Sequence, residues 1–432
     1  MAPPMERLPL KRRAISDQQR RRDIALLRQA QARRDAQNQA RCLASAILSD
    51  PPADIEREPL EPECELAGDA EAEAEAKAPA EAGDAEDASS EMDVLQASKL
   101  RGPKARRWFS RQLMLPEWMI DVPPRLSVDW YVFPRPAGKR CFVVSSNGTT
   151  ISRLRNGTVL HRFPSALPNG ARTKEVMGPA SMFSILDCVF HEHDQTYYVI
   201  DMICWRGYSL YDCTAEFRFF WLNSKLAETG ACNPPSFYHK YRFSVVPVYD
   251  CDQAGILAAY TGHLPFIRDG LLFYNRHAHY QTGNTPLSLV WKDQVCSQYF
   301  IDTDSKGVVP TLQQVVLELL EDGSVATSDD SPVVLGKLDL ETIQKNNLHH
   351  GNLIRFAVGD GGLDVIDGDI KKADIHFVGK ANRVRAFADT CSKILFQYMA
   401  RRSPLRIDDL VASTTLLHDN DQSLADVEMV SS

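Results

Sequence analysis

The chain has 432 residues, 44% of them hydrophobic, and a formal net charge of −8. That length allows two or three domains, and that hydrophobic fraction excludes a wholly disordered chain. No apolar run reaches the roughly 18 residues that a membrane-spanning helix needs, so a soluble protein with no membrane partner is expected.

The net charge conceals an arrangement in blocks. Residues 1–42 carry eleven Arg and Lys against four acids, a net +7, whereas residues 51–93 carry sixteen acids against Arg57 and Lys77, a net −14. The ten cysteines form no Cys-x-x-Cys pair and no His-Cys spacing that would hold zinc. Most lie in apolar runs such as 186–190 and 202–205. Free thiols in a reducing compartment are therefore expected.

In chain order, Ser16-Asp-Gln-Gln19 has the form of a capping box and predicts one long helix ending near Leu48. Its large apolar residues are Ile24, Leu26, Leu27, Leu43, Ile47 and Leu48. That stripe is too sparse to bury against a core of its own, so a solvated arm, or a helix presenting arginines to an acidic partner, is expected. Residues 51–93 are low in complexity and bury too little apolar surface to offset chain entropy. They read as a disordered acidic linker that separates two modules. A basic patch follows from Lys99 to Arg111.

From about Trp108 the texture changes to short β-rich runs, including 141–145, 158–163, 196–201, 217–221 and 270–274. Asn147-Gly148 and Asn156-Gly157 read as hairpin turns, and Gln253 to Tyr260 as a helix. An α+β domain on antiparallel sheets is expected. Beyond Val308, Leu312 to Leu320 reads as helix or strand, Leu353 to Val358 as a strand, and Phe387 to Arg401 as an amphipathic helix. The last fifteen or so residues read as a disordered tail. The implied organisation is 1–50, 51–107, 108–307 and 308–432, the last without an assignable role.

Four spaced segments carry the chemistry: Arg135-Pro-Ala-Gly-Lys-Arg140, Tyr198-Val-Ile-Asp-Met-Ile-Cys-Trp205, Asp269-Gly-Leu-Leu-Phe273 and Ser288-Leu-Val-Trp-Lys292. They resemble the nucleotide-binding motifs of messenger-RNA capping guanylyltransferases, whose first motif reads Lys-x-Asp-Gly-x-Arg. In that family the lysine attacks the α-phosphate as a neutral amine. The resemblance puts Arg135 in its place, and a guanidinium stays protonated at any useful pH. Ala137 replaces the partner Asp, Ile203 the metal-supporting Glu and Val290 a lysine of the fourth motif, whereas Gly138, Arg140, Asp269, Gly270, Trp291 and Lys292 keep the pattern. This implies a guanylyltransferase-like domain that is catalytically inactive, with no catalytic residue, metal or cofactor.

Three stretches narrow the resemblance: Gln112 to Pro123, Gln195 to Gly207, and Asp269-Gly-Leu-Leu-Phe-Tyr274 with Thr285-Pro-Leu287. They resemble the snurportins, nuclear import adaptors that bind the 2,2,7-trimethylguanosine cap of spliceosomal small nuclear RNA. The chain reads as a plant-like variant with a C-terminal extension. The resemblance implies that Trp291 stacks on the cationic methylated base. It places Leu115 and Trp118 against the methylated base edge. Pro116 lies between them, where the animal pattern has Ser. It places Arg140 and Arg155 near the cap phosphates, with Arg135 as a further contact. Asp212, Arg218 and Lys225 could equally tie the sheet together by ion pairing.

Residues 20–27 and 38–44 resemble the family's importin-β-binding segment, which implies contacts from Arg20, Arg21, Arg22, Leu27, Arg33, Arg34 and Arg41. The implied partners are importin-β and capped small nuclear RNA in spliceosomal ribonucleoproteins. An export receptor would be a third, although Met1–Leu10 lacks the apolar contact expected for it. Shuttling between nucleus and cytoplasm is implied. An active nucleotidyltransferase, and a cap- or RNA-binding scaffold without a transport role, stay open as alternatives.

Overall fold

The computed structural model describes residues 8–31, 36–49, 99–100, 102–179, 181–303, 307–366, 369–381 and 387–414. The acidic linker, the acidic tail, Arg33 and Arg34 lie outside the described residues.

Two sheets face one another. The first runs in the order β1 (Met114–Trp118), β12 (Gly283–Trp291), β11 (Arg268–Asn275), β2 (Trp130–Pro136), β10 (Tyr249–Asp250). The second runs β5 (Val159–Phe163), β4 (Thr149–Leu154), β3 (Lys139–Ser146), β6 (Ser184–His191), β7 (Thr196–Trp205), β8 (Tyr208–Ser209), with β9 (Arg242–Val245) also on β7. The sheets are mainly antiparallel, as expected; β1 with β12, and β9 with β7, pair in parallel. Strands β6 and β7 are buried along their whole length, as their near-continuous apolar sequences require when both faces are covered. One core lies between the sheets and includes Phe133, Phe142, Ile185, Leu272 and Val290.

Asn147 and Gly148, at φ 50° and 76°, form the turn between β3 and β4 that their sequence predicts. The aromatic run Phe217–Trp221 is helical rather than extended, inside α5 (Ala215–Ala227). Thr214 caps it by accepting from the Phe217 amide, and Ala215, Arg218, Phe219, Leu222 and Leu226 share a buried face at helical spacing. Of the ion-pairing candidates in that region, Lys225 pairs with its helix neighbour Glu228, whereas Arg218 ties the helix to Asp201 of β7. Its Nε and Nη2 donate to the two Asp201 carboxylate oxygens at 2.9 Å each, and both side chains are fully buried. Nη1 donates to the Cys213 and Ala278 carbonyls. Losing one partner of such a pair costs about 3–5 kcal/mol, because a buried charge is left unpaired.

The N-terminal region forms two helices rather than one, α1 (Leu8–Gln31) and α2 (Ala36–Leu48). α1 begins ahead of Ser16, so Ser16 to Gln19 lie within it and do not cap it. Nor does the arm stand free of the sheets, although α1 keeps Arg20, Ile24, Leu27 and Arg28 exposed. α2 buries Ala40, Leu43, Ala44 and Ile47 in the core between the sheets. These stand at i, i+3, i+4 and i+7, and the two alanines let the helix backbone approach closely. Arg153 of β4 donates to the carbonyls of Ile47 (2.7 Å) and Ser49, satisfying the helix C-terminus. α1 lies across β12, with Gln29 donating to the His277 carbonyl and accepting from the His279 amide.

Two short helices, α3 (Gly102–Ser110) and α4 (Leu126–Asp129), flank β1, and α6 (Gln253–Thr261) covers the outer face of the first sheet. The C-terminal region is a second β unit. Strands β13 (Gln314–Leu319), β14 (Ser324–Ala326), β15 (Val334–Lys337), β16 (Leu353–Ile366) and β17 (Asp369–Lys380) form one antiparallel sheet. Its order is β15-β14-β13-β16-β17, with α7 (Leu340–Lys345) between the third and fourth strands. β17 curls back against β15, where a Cβ on Gly336 would meet Ile375 at 3.1 Å. Five strands, a helix after the third and near-closure of the edges are the arrangement of an OB-fold. Helix α8 (Cys391–Ala400), capped by Thr390, closes it with Ile394 and Leu395 in the core.

Candidate functional site

The first, third and fourth motifs meet at one end of the first sheet, tied together by ion pairs, whereas the second motif lies on β7 of the second sheet. Asp269 accepts from Lys292 Nζ at 2.5 Å and from Ser297 Oγ at 2.6 Å, and is ion-paired with Arg135. Burial alone would raise its carboxyl, yet Arg135 and Lys292 hold it below the ordinary aspartate value. Lys292 is pulled down by burial and by Arg135, against the attraction of Asp269. Arg135 thus serves as a counterion. Gly270, at φ 102°, follows Asp269 in the motif, where a Cβ would meet the Trp291 carbonyl oxygen at 2.7 Å.

Trp291 is not available as a stacking platform. Its side chain is 0% exposed, it packs with Trp130, Ile256, Tyr260 and Phe396, and its Nε1 donates to the Leu405 carbonyl at 3.1 Å. The reason is strand alternation: Val290 points into the core between the sheets, with Leu115, and Trp291 points to the opposite face, under α6. The implied role therefore does not fit the face this residue occupies.

Trp118 lies half-buried at the far end of β1. Its ring sits 4.9 Å from Phe396 of α8, its amide donates to Ser392 Oγ, and Lys292 Nζ lies 5.7 Å above it. Pro116 pairs with Thr285, immediately before a register break at which β1 advances to Glu117 and β12 to Leu289, and Trp118 packs against both the core between the sheets and the cluster around Trp291. Arg140 is also committed elsewhere. It holds both oxygens of the buried Asp187, at 3.0 and 2.7 Å, and donates to the Met114 carbonyl. Burial opposes its charge, but Asp187 together with Tyr274 and Tyr280 outweighs it and raises its pKa well above the ordinary arginine value. Asp187 also accepts from the Tyr280 hydroxyl at 2.8 Å. Arg140 therefore builds the sheet and offers no free fork to a phosphate.

Two of the seven implied cap residues, Leu115 and Arg155, do meet in one open space. A cleft of about 980 Å³ separates β1 and α3 from the C-terminal barrel, and both line it. Arg155 donates through Nε to the Ser110 carbonyl at 3.2 Å and stacks on the Phe387 ring at 4.2 Å. Burial and the nearby Arg140 lower its pKa to about 10. It has no carboxylate partner among the described residues. Sequence reading missed the other lining groups, among them Arg106, Arg111, Asp330 and Phe387, because they come from stretches outside the motifs.

Of the residues implied for the carrier, Arg20, Leu27 and Arg41 are exposed. Arg21 is ion-paired with the buried Glu117. Arg22 is 3% exposed, accepted by Gln18 and Gln19 and lying 5.6 Å over Trp130. Burial lowers its pKa to about 10. The expected separation into independent modules is thus not what these helices adopt.

Residues 112–292 match a family model described as Snurportin1, m3G cap-binding domain. Among solved structures, a mycobacterial DNA ligase D complexed with ATP and MES is 10% identical, covering 65% of this chain and 97% of that one at a TM-score of 0.32. The ligase domain of LigD from M. tuberculosis is 12% identical with the same coverage and TM-score. Likeness that remote transfers neither fold nor chemistry. The family match does not depend on it: residues 112–292 match the snurportin cap-binding domain, which makes this a snurportin-like protein.

Proposed function

We propose that this protein is an import adaptor without enzymatic activity, which binds the trimethylguanosine cap of small nuclear RNA through residues 112–292 and importin-β through α1 and α2. The observation that carries the cap reading is the family match over residues 112–292. The ion-paired state of Arg135 with Asp269 supports the absence of catalysis: no neutral amine stands where a nucleophile is needed. The basic N-terminal residues and their resemblance to an importin-β-binding segment support the carrier role. An export receptor, and shuttling between nucleus and cytoplasm, belong to the same reading.

Competition binding on the full-length protein tests it. Trimethylated cap dinucleotide should outcompete the 7-monomethylated form, because a site built for two N2 methyls lacks an acceptor for an N2–H. Equal affinity for both, or for neither, overturns the reading. The rival enzymatic reading is tested with labelled GTP and magnesium. Neither the natural chain nor Arg135→Lys should form a covalent nucleotide adduct, since Ala137, Ile203 and Val290 supply none of the groups that would activate a restored lysine. A phosphoramidate on any lysine of the natural chain would show that the protein is an enzyme.

A further inference from the structure

The cleft that contains Leu115 and Arg155 sets arginines against a barrel wall rich in acids. Arg106, Arg111 and Arg155 stand on the side of β1 and α3, and Glu318, Asp329 and Asp330, with Lys380 and His350, on the side of the barrel. None of the three arginines and three acids has an ion-pair contact among the described residues, although the charge of Arg21 reaches Asp329 and opposite charges line a single cleft. Asp330 reaches the strand that ends in Trp291: a Cβ on Gly283 would meet its carboxylate at 3.0 Å. Asp329 is half-buried and accepts from the Cys391 amide at 2.7 Å. An aromatic ring is present too, but it comes from the C-terminal segment. Phe387 lines the cleft, half-buried, with Arg155 against it.

A 7-methylated guanosine cap has the complementary constitution. Its base is flat and cationic, and its phosphate chain is strongly anionic. A face for stacking, carboxylates for the base charge and arginines for the phosphates are what such a ligand requires. We propose that the C-terminal barrel completes the cap site: Phe387 stacks on the methylated base, Glu318, Asp329 and Asp330 face its positive charge, and Arg106, Arg111 and Arg155 take the phosphates. This rests on the cap-binding reading above. It gives a part to residues 314–389, which lie beyond the family match at 112–292. It also accounts for an open cleft here while the Trp291 face is closed.

The test is cap-analogue affinity of the full-length protein, with folding checked by circular dichroism. Phe387→Ala should weaken binding of the trimethylated dinucleotide by about tenfold or more, and Phe387→Leu, which keeps bulk but no ring, should do nearly the same. Glu318→Gln with Asp330→Asn should cut the preference for 7-methylated over unmethylated GpppG by about fivefold or more, because only the methylated base is cationic. Arg106→Ala with Arg111→Ala should weaken both dinucleotides alike. If the natural chain binds the trimethylated cap and the Phe387 and carboxylate variants match it, the barrel has no part in the site and the proposal falls alone. If the natural chain binds no cap, the cap reading falls and takes this proposal with it.

Discussion

Trp291→Ala is expected to lower the stability of the protein by about 3–5 kcal/mol, the usual cost of truncating a fully buried tryptophan. The residue fills the space between the outer face of the first sheet and α6, and is reached from the C-terminal side by Phe396 and Leu410. Its indole N–H also satisfies the Leu405 carbonyl. Set against the 5–15 kcal/mol that holds a typical protein folded, such a loss is large. Chemical denaturation should show the midpoint falling, and the protein that remains folded should bind cap analogues as the natural chain does. Trp291→Phe should lie between the two in stability. A well-folded Trp291→Ala protein of normal stability that had lost cap affinity would mean that this face opens to take the base, and would return Trp291 to the role its motif implies.

The sheets and most turns were legible because alternation, Asn-Gly pairs and capping residues act locally. The motif glycines were legible too, since Gly138 and Gly270 occupy backbone conformations that side chains disfavour, with no room for a Cβ. Which face Trp291 occupies was not legible. A shift of one residue turns a strand side chain to the other face, and the register break after Pro116, where Glu117 pairs with Leu289, leaves no mark in the sequence. The aromatic run 217–221 looked extended by residue preference, yet Thr214 and the spacing from Ala215 to Leu226 make it a helix. The burial of α2 is hard to read in the sequence because its buried face is partly alanine, so its large apolar residues alone make too sparse a stripe. The ion pairs of Arg135, Arg140 and Arg218 join residues 134, 47 and 17 positions apart, which no local pattern records. The cleft, likewise, exists only once the barrel has folded against β1.

Replacing Arg20, Arg21 and Arg22 together by Glu is expected to abolish importin-β binding, with a loss of at least about 2 kcal/mol, or thirtyfold. The segment's net charge of +7 has too little apolar surface to replace that attraction. The structure adds a second consequence. Arg21 is ion-paired with Glu117 of β1, and Arg22 is buried over Trp130, so the same substitutions place like charges together and bury a carboxylate beside an indole. Burial already raises the Glu117 carboxyl above its ordinary value, so a second acid beside it cannot be accommodated without protonation or release of the helix. α1 should therefore leave the sheet, and hydrogen exchange across Gln18 to Gln29 should rise. On the proposed carrier role, docking and importin-β binding draw on the same arginines. Importin-β would then have to displace α1 from β12 before it could hold those side chains, and its affinity for the natural chain should fall steeply with salt. Pull-down, hydrogen exchange and cap affinity measured on the one variant separate the effects. Retained importin-β binding would remove α1 from the carrier interface. A loss of more than about tenfold in cap affinity would show that the docked helix also supports β1 and the cleft beside it.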